Sequence, residues 1–191
     1  MAVLTSDDFN RANGTIDVGN SDWTQDFGTL SVVSNELRGP SGAESVWYNT
    51  GGTVPDDQYA QFMLATISGS DQKGICVRHT GSDFVALMSS YFSFEIQWYN
   101  GGSYTAIGGN PGDYEPLDGD VHKLEVSGSA YQSYLNGTPT TSGSNASAPS
   151  SGDPGIYMYQ NNDTVDDFEA GSLATIFQVG PCPLFRTVRT V

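Results

Sequence analysis

Basic residues, cysteine, histidine and long apolar runs are all scarce in this sequence. Of 191 residues, seven are Lys or Arg and 22 are Asp or Glu, so the formal net charge is −15. Two of the basic residues, Arg186 and Arg189, lie in the last six positions, which leaves the rest of the chain still more acidic. Nucleic acid and anionic lipid repel such a surface. The charge therefore excludes nucleic acid as a partner of the body and favours solubility or cation binding at acidic loops.

The sequence pattern also lacks membrane and export signals. No apolar stretch approaches the roughly 20 residues of a spanning helix, so we expect no membrane insertion. Residues 1–4 lead straight into polar sequence and do not resemble a signal peptide. We expect a protein that stays in its cell or leaves without ordinary secretion, for example within an assembled virus particle.

Two cysteines and two histidines limit redox and metal chemistry. Cys76 lies in an apolar run and is predicted to be a buried thiol. Its spacing from Cys182 does not argue for a disulfide. His79 and His122 lack the spacing of metal ligands, and we interpret His122 as an exposed sheet residue.

What is present is the pattern of an all-β protein. Short apolar runs are separated by turn-forming residues, including 23 glycines. Residues 92–99 alternate strictly between apolar and polar, as a half-buried strand does. Residues 138–151, rich in Ser, Thr, Ala and Pro, are interpreted as an extended surface loop.

A short sequence motif occurs near both ends of the chain. The triplet 7–9 (Asp-Asp-Phe) recurs at 166–168, which predicts a first strand around residues 8–10 that lies beside the last strand. We predict one two-sheet antiparallel sandwich over residues 1–179. Residues 180–191 are predicted to form an extended tail.

Several weak motifs, taken in order, carry a resemblance to a family. They are the segment 8–15 followed by Trp23, then 32–37, 74–78, 119–126, 134–137, Gly155-Ile156 and 166–171. Together they resemble concanavalin A-like lectin/glucanase domains (laminin G-like) over roughly residues 7–172. The resemblance implies a jelly-roll sandwich, often with bound calcium and a concave face that takes sugar chains. It does not imply one function, because this fold hosts lectins, glycosidases, lyases and structural modules.

Candidate catalytic residues are few. A retaining glycosidase needs two carboxylates about 5 Å apart, and the family's glucanases carry such a cluster on one strand. The best strand here offers Glu95, but Gln97 occupies the position two residues on. The sequence leaves open a histidine base acting with a tyrosine, as lyases use.

Two binding sites are predicted instead. Acidic residues could gather where the first and last strands meet, and we select Asp8 and Asp167 as ligands of a calcium ion, the one cofactor predicted. Tyr99, Tyr104 and Tyr114 remain after alternation has assigned other aromatic residues to the core, and we predict that they bind carbohydrate.

The tail lies outside the family resemblance and combines apolar with basic residues. We predict that this tail docks on a neighbouring protein of an assembly, such as another copy of this chain in a homo-oligomer, by adding a strand to a sheet edge. The docking residues selected are Phe185, Arg186, Val188 and Arg189.

These observations favour a non-enzymatic, lectin-like structural or decoration module of an extracellular assembly. We expect it at the surface of a phage virion, with adhesion to glycans as a further role. A carbohydrate-binding module and a polysaccharide-cleaving enzyme are the alternatives.

Overall fold

The computed structural model describes residues 1–69, 71–90, 93–109, 114–160 and 162–173, which form sixteen β-strands. Among these residues, no helix has the length and apolarity needed to span a bilayer. The strands are β1 (Ala2–Asp7), β2 (Gly14–Thr15), β3 (Trp23–Phe27), β4 (Ser31–Val33), β5 (Glu36–Arg38), β6 (Glu44–Asn49), β7 (Gln58–Thr66), β8 (Gln72–His79), β9 (Asp83–Ser90), β10 (Ser93–Asn100), β11 (Tyr104–Gly108), β12 (Val121–Ser127), β13 (Ala130–Leu135), β14 (Thr138–Ser144), β15 (Asp153–Tyr159) and β16 (Thr164–Ser172).

The strands form two antiparallel sheets, which confirms the predicted sandwich. The larger sheet has nine strands in the order β14-β13-β12-β7-β16-β5-β4-β2, with β1 also paired to β16. The smaller sheet has seven strands in the order β11-β10-β9-β8-β15-β6-β3. Strands β1 and β16 pair from Ala2 opposite Ser172 to Asp7 opposite Phe168. The first and last of the described strands therefore lie side by side, as the repeated triplet in the sequence predicts.

Alternation along the strands builds the core between the sheets. On β10, Phe94 and Ile96 are buried in the interior cluster, as their period of two requires. The larger sheet contributes Phe62 of β7 and Leu124 of β12 to the same cluster. Each such large apolar side chain stabilises the fold by about 1.5–3 kcal/mol when fully buried. The sandwich thus has its main core without any disulfide at Cys76, which is a free, buried thiol as predicted.

The first strand ends before the position that the sequence predicts. The prediction placed it around residues 8–10, whereas β1 ends at Asp7. The Asp7 carboxylate accepts hydrogen bonds from the Phe9 amide (2.8 Å) and from Arg11 Nη1 (2.6 Å). Its other oxygen accepts from Asn20 Nδ2 (2.9 Å) and Trp23 Nε1 (2.7 Å). These contacts turn the chain, and Phe9 adopts a left-handed backbone with φ of 48°.

The segment 138–151 is only partly a loop. Its first seven residues form β14, which pairs with β13 at the edge of the larger sheet. The pairing is supported by Ser133 Oγ, which donates to the Thr141 carbonyl at 3.0 Å. Threonine suits a pleated strand, so the composition that indicated a loop also permits an edge strand.

A buried ion pair connects the two sheets at one end of the sandwich. Lys73 on β8 contacts the carboxylate of Asp163 just before β16, and both side chains are completely buried. The second oxygen of Asp163 accepts hydrogen bonds from the amides of Ser68 (2.9 Å) and Gly69 (3.0 Å). The pair thus fixes the segments that precede β8 and β16.

We expect Lys73→Met to lower the free energy of unfolding by about 3–5 kcal/mol, because it leaves a buried carboxylate without its cation. The double variant Lys73→Met/Asp163→Asn should recover much of this loss, since the neutral amide can still accept from the two amides. Chemical denaturation of the three proteins measures both effects. A double variant as unstable as the single one would contradict this explanation.

The predicted tail, with Phe185, Arg186, Val188 and Arg189, lies outside the described residues. Its docking role therefore stays a prediction.

Candidate functional site

The outer face of the seven-stranded sheet carries a second apolar cluster. On β9, Val85 and Leu87 point into the interior, so Phe84 and Ala86 point outward. The outward cluster consists of Val46, Cys76, Phe84, Ala86, Met88 and Tyr157, with Phe27, Tyr99 and Tyr159 packed against it. The six members of the cluster are buried although they lie on the outer face, so other side chains cover them.

Small residues occupy the centre of this face. Ala86 lies opposite Cys76, and Cys76 lies opposite Gly155 on the next strand. A side chain at Gly155 would place its Cβ 2.5 Å from the Trp47 carbonyl oxygen, so no larger residue fits there without a backbone shift. The centre is therefore a shallow floor over which larger rings can lie.

The sheet curls toward this face. Tyr99 of β10 and Phe27 of β3 are separated by five strand spacings, which would be about 24 Å in a flat sheet. Their ring centroids are nevertheless 6.3 Å apart. The face is consequently concave, and rings from its two ends meet above the small central residues.

Five rings follow one another across this concave face. Centroid distances are 4.5 Å from Tyr48 to His79, 5.6 Å from His79 to Phe84, 5.0 Å from Phe84 to Tyr99 and 4.9 Å from Tyr99 to Tyr104. We call these five residues the ring platform. Phe84 and His79 are buried, Tyr48 and Tyr99 are half-buried, and Tyr104 is 36% exposed. The platform thus has a fixed base and an accessible end.

The structure brings together two of the three tyrosines that were selected from the sequence. Tyr99 and Tyr104 lie directly opposite each other on β10 and β11, across the turn in which the Asn100 amide donates to the Ser103 carbonyl (3.1 Å). Tyr48, His79 and Phe84 were missed as platform members. His79 and Phe84 lie on either side of the turn that joins β8 to β9, and this hairpin could have predicted their proximity from the sequence. Tyr48 is brought to the platform only by the order of strands in the sheet.

The structure places Tyr114 elsewhere. Its ring packs edge-on against Phe94 of the interior cluster, with centroids 5.0 Å apart. Its hydroxyl donates to Asp120 Oδ2 (2.9 Å) and lies 2.7 Å from His122 Nε2. Tyr114 is therefore not part of the ring platform, and its predicted contact with carbohydrate is not tested by this arrangement.

His122 is completely buried, so its interpretation as an exposed sheet residue is wrong. It shares the inward face of β12 with Leu124, a signal that alternation already offered. Ser89 Oγ lies 3.1 Å from its Nδ1. Burial, together with the charge of Lys73, lowers the pKa of His122 to about 3. The imidazole is thus neutral at physiological pH.

His79 has both ring nitrogens engaged. Its Nδ1 accepts a hydrogen bond from the Gly81 amide (3.1 Å), so Nε2 carries the proton and donates to Asp26 Oδ2 (2.9 Å). Burial lowers the pKa of His79, an effect that Asp26 partly opposes. With both nitrogens committed, His79 holds its ring within the platform and has no free lone pair for a base.

Two carboxylates, Asp26 and Glu44, lie close to the ring platform. Asp26 contacts His79, and the exposed Glu44 accepts a hydrogen bond from Tyr157 at 3.2 Å. Further along β10, Glu95 Oε2 accepts from Gln97 Nε2 at 2.8 Å. An amide therefore stands two residues from Glu95, where a glycosidase strand would carry a second carboxylate.

Asp8 and Asp167 come together on the other side of the molecule. Both line a depression of about 740 Å³ where β1 meets β16. Asp167 has φ of 49° and sits where the register between β16 and β7 shifts. Within the described ranges, no three His, Cys, Asp or Glu side chains are grouped so that they could hold a metal. The calcium site therefore stays a prediction.

No protein-family model and no curated protein matches the sequence. Solved structures do match. The carbohydrate-binding module CBM66 from Bacillus subtilis aligns with a TM-score of 0.65 at 14% identity, over 79% of this chain and 96% of that one. A Bacillus subtilis protein of unknown function with a galectin-like fold aligns with a TM-score of 0.67 at 14% identity, over 90% and 96%. A non-specific endo-β-1,3(4)-glucanase of family GH16 gives 0.60 at 8%, over 88% and 90%.

The chain has the concanavalin A-like fold. At these identities the similarity establishes the fold alone. Since the similar structures include both a binding module and a glucanase, the concanavalin A-like fold does not decide between binding and hydrolysis.

The acids at the β1/β16 end predict a pH effect on stability. Burial, with the charges of Asp167, Glu36 and Asp8, raises the pKa of Asp166 from 3.8 to about 6. The folded protein thus binds this proton more tightly than the unfolded chain, so the stabilising contribution is complete below about pH 4 and is lost as pH rises through 6. We expect Asp166→Asn to lose less stability than the original protein between pH 4 and pH 7.

Thermal unfolding of both proteins across this pH range measures the difference between their stabilities. The contributions of the other titrating groups are the same in both proteins and cancel in this difference. An identical pH dependence would contradict the raised pKa of Asp166.

Thermal unfolding with added Ca²⁺ tests the calcium prediction. Ca²⁺ bound by Asp8 and Asp167 should raise the unfolding midpoint, and the double variant Asp8→Asn/Asp167→Asn should abolish that rise.

Proposed function

We propose that this protein is a non-enzymatic carbohydrate-binding module, in which a glycan lies across the ring platform. The observation that carries the proposal is the pair Tyr99 and Tyr104, whose rings lie side by side and accessible at the end of the platform. Sugar rings present apolar C–H faces that pack on aromatic rings, while their hydroxyls need hydrogen-bond partners at the margin.

Two properties of the ring platform support binding. First, Phe84 is buried beneath Tyr99 and restrains it, so less side-chain freedom is lost when a ligand binds. Second, the margin offers carboxylate and amide groups, such as Glu44 and Gln72, that can accept hydrogen bonds from hydroxyls. The similarity to a carbohydrate-binding module accords with this proposal.

The platform offers little for hydrolysis or elimination. His79 has no free nitrogen to act as a base, and Glu95 is paired with the amide of Gln97. A polysaccharide-cleaving enzyme remains the alternative, and loss of a measurable activity in Glu95→Gln would establish it.

We expect Tyr104→Ala and Tyr99→Ala each to weaken glycan binding at least about tenfold, which corresponds to about 1.4 kcal/mol, because each removes a stacking surface. The measurement is titration of the oligosaccharide that binds best in a panel of neutral, amino-bearing and acidic glycans.

Tyr134→Ala is the matched control, because Tyr134 belongs to β13 of the other sheet and should leave affinity unchanged. Melting curves verify that each variant is folded. Unchanged affinity in Tyr99→Ala and Tyr104→Ala, or an equal loss in the control, would rule out the ring platform as the binding site.

We also propose, from the sequence, that the module belongs to an extracellular assembly such as a phage virion and docks on its neighbours through the tail. Light scattering should show a multimer for the full chain and a monomer for a chain ending at Val179. If both proteins are monomers, self-assembly through the tail is ruled out. Docking of the tail on a different protein is tested by a pull-down with the components of that assembly.

A further inference from the structure

The positions of the basic side chains bear on which glycans the ring platform can accept. The chain has five basic residues before the tail. Arg11 is bound to Asp7, Lys73 to Asp163, and Arg78 to the backbone carbonyls of Asp56 (2.9 Å) and Gly128 (2.6 Å).

The remaining two belong to the nine-stranded sheet. Lys123 of β12 pairs with Glu125 at 2.6 Å and lies over the ring of Tyr59, 4.8 Å from its centroid. Arg38 belongs to β5 of the same sheet. Within the part of the chain that the structure describes, no basic side chain is therefore placed to meet the charge of an acidic sugar at the ring platform.

Negative charge, in contrast, lies close to the ring platform at two places. Asp26 contacts His79, and Glu44 lies on the side of Tyr104, the accessible end. Tyr104 and Tyr157 have ring centroids 6.3 Å apart, and the Tyr157 hydroxyl donates to Glu44 Oε1 at 3.2 Å. Burial, together with the charge of Glu44, raises the pKa of Tyr104, so the carboxylate acts electrostatically on the accessible ring.

We propose that the ring platform selects glycans that bear amino groups and rejects glycans that bear carboxylates or sulfates, with Glu44 as the ion-pair partner of the amino group. This inference rests on the proposed function and specifies its ligand class. A sugar stacked on Tyr104 lies next to Tyr157, whose hydroxyl donates to Glu44, so its substituents are within reach of that carboxylate. An ammonium group there gains a charge-assisted hydrogen bond, whereas an acidic group meets only like charge in this acidic protein.

The test is calorimetric titration with three oligosaccharides of equal length: a glucosamine oligomer, its fully N-acetylated counterpart and a uronic acid oligomer. At low salt the glucosamine oligomer should bind at least about fivefold more tightly than the N-acetylated one, and the uronic acid oligomer should not bind measurably. High salt should reduce the preference, because the ion pair is partly exposed.

Glu44→Gln should remove the preference, so that the glucosamine oligomer and its N-acetylated counterpart bind equally, because a neutral amide cannot form an ion pair with the ammonium group. Glu125→Gln on the opposite sheet changes the net charge equally and should leave the preference intact. If the preference persists in Glu44→Gln, overall charge is responsible and the assignment to Glu44 is wrong.

Two further outcomes separate this inference from the proposed function. Binding that depends on Tyr104 but ignores or reverses the charge of the sugar would overturn the inference and leave the proposed function standing. If wild-type protein binds neither these oligomers nor any glycan of the wider panel, the proposed function fails and the inference fails with it.

Discussion

The shortage of side-chain volume at the centre of the seven-stranded sheet determines what the rest of this face can do. Because Cys76, Ala86 and Gly155 are small, the sheet can curl and rings from strands far apart in the order can meet above them. With large residues at these positions, Tyr99 and Phe27 would have no common floor to pack on. Overpacking of such a site costs typically about 1–3 kcal/mol, so both the stability and the geometry of the platform depend on these small side chains.

Buried carboxylates play a comparable role for the loops. Asp7 accepts four hydrogen bonds, and Asp163 accepts two backbone amides as well as its lysine. Asp120 accepts from Tyr114, Leu117 and Asn136. A buried acid is tolerated only when its lone pairs are satisfied. At least three of the 22 acidic residues are thus structural rather than part of a solvated surface.

Local patterns predicted much of the architecture. Alternation and turn residues indicated the strands, and the repeated triplet predicted the pairing of β1 with β16. Tyr99 and Tyr104 could be joined because one tight turn connects their strands. Tyr48 and Phe27 could not, since their approach depends on sheet order and curvature, which no short window of sequence contains. His122 was misinterpreted because histidine is polar. Its alternation with Leu124, two residues on, indicated correctly that this face of the strand is interior.

The thiol of Cys76 lies beneath the ring platform with none of its surface exposed, and burial raises its pKa well above the ordinary value. A thiol in that state is inert, because reagents attack the thiolate and must first reach it. Any reaction at Cys76 therefore requires the overlying rings to lift. The rate at which a thiol reagent modifies Cys76 therefore reports how often this face opens. A ligand that holds the rings in place would slow this modification without contacting the sulfur itself.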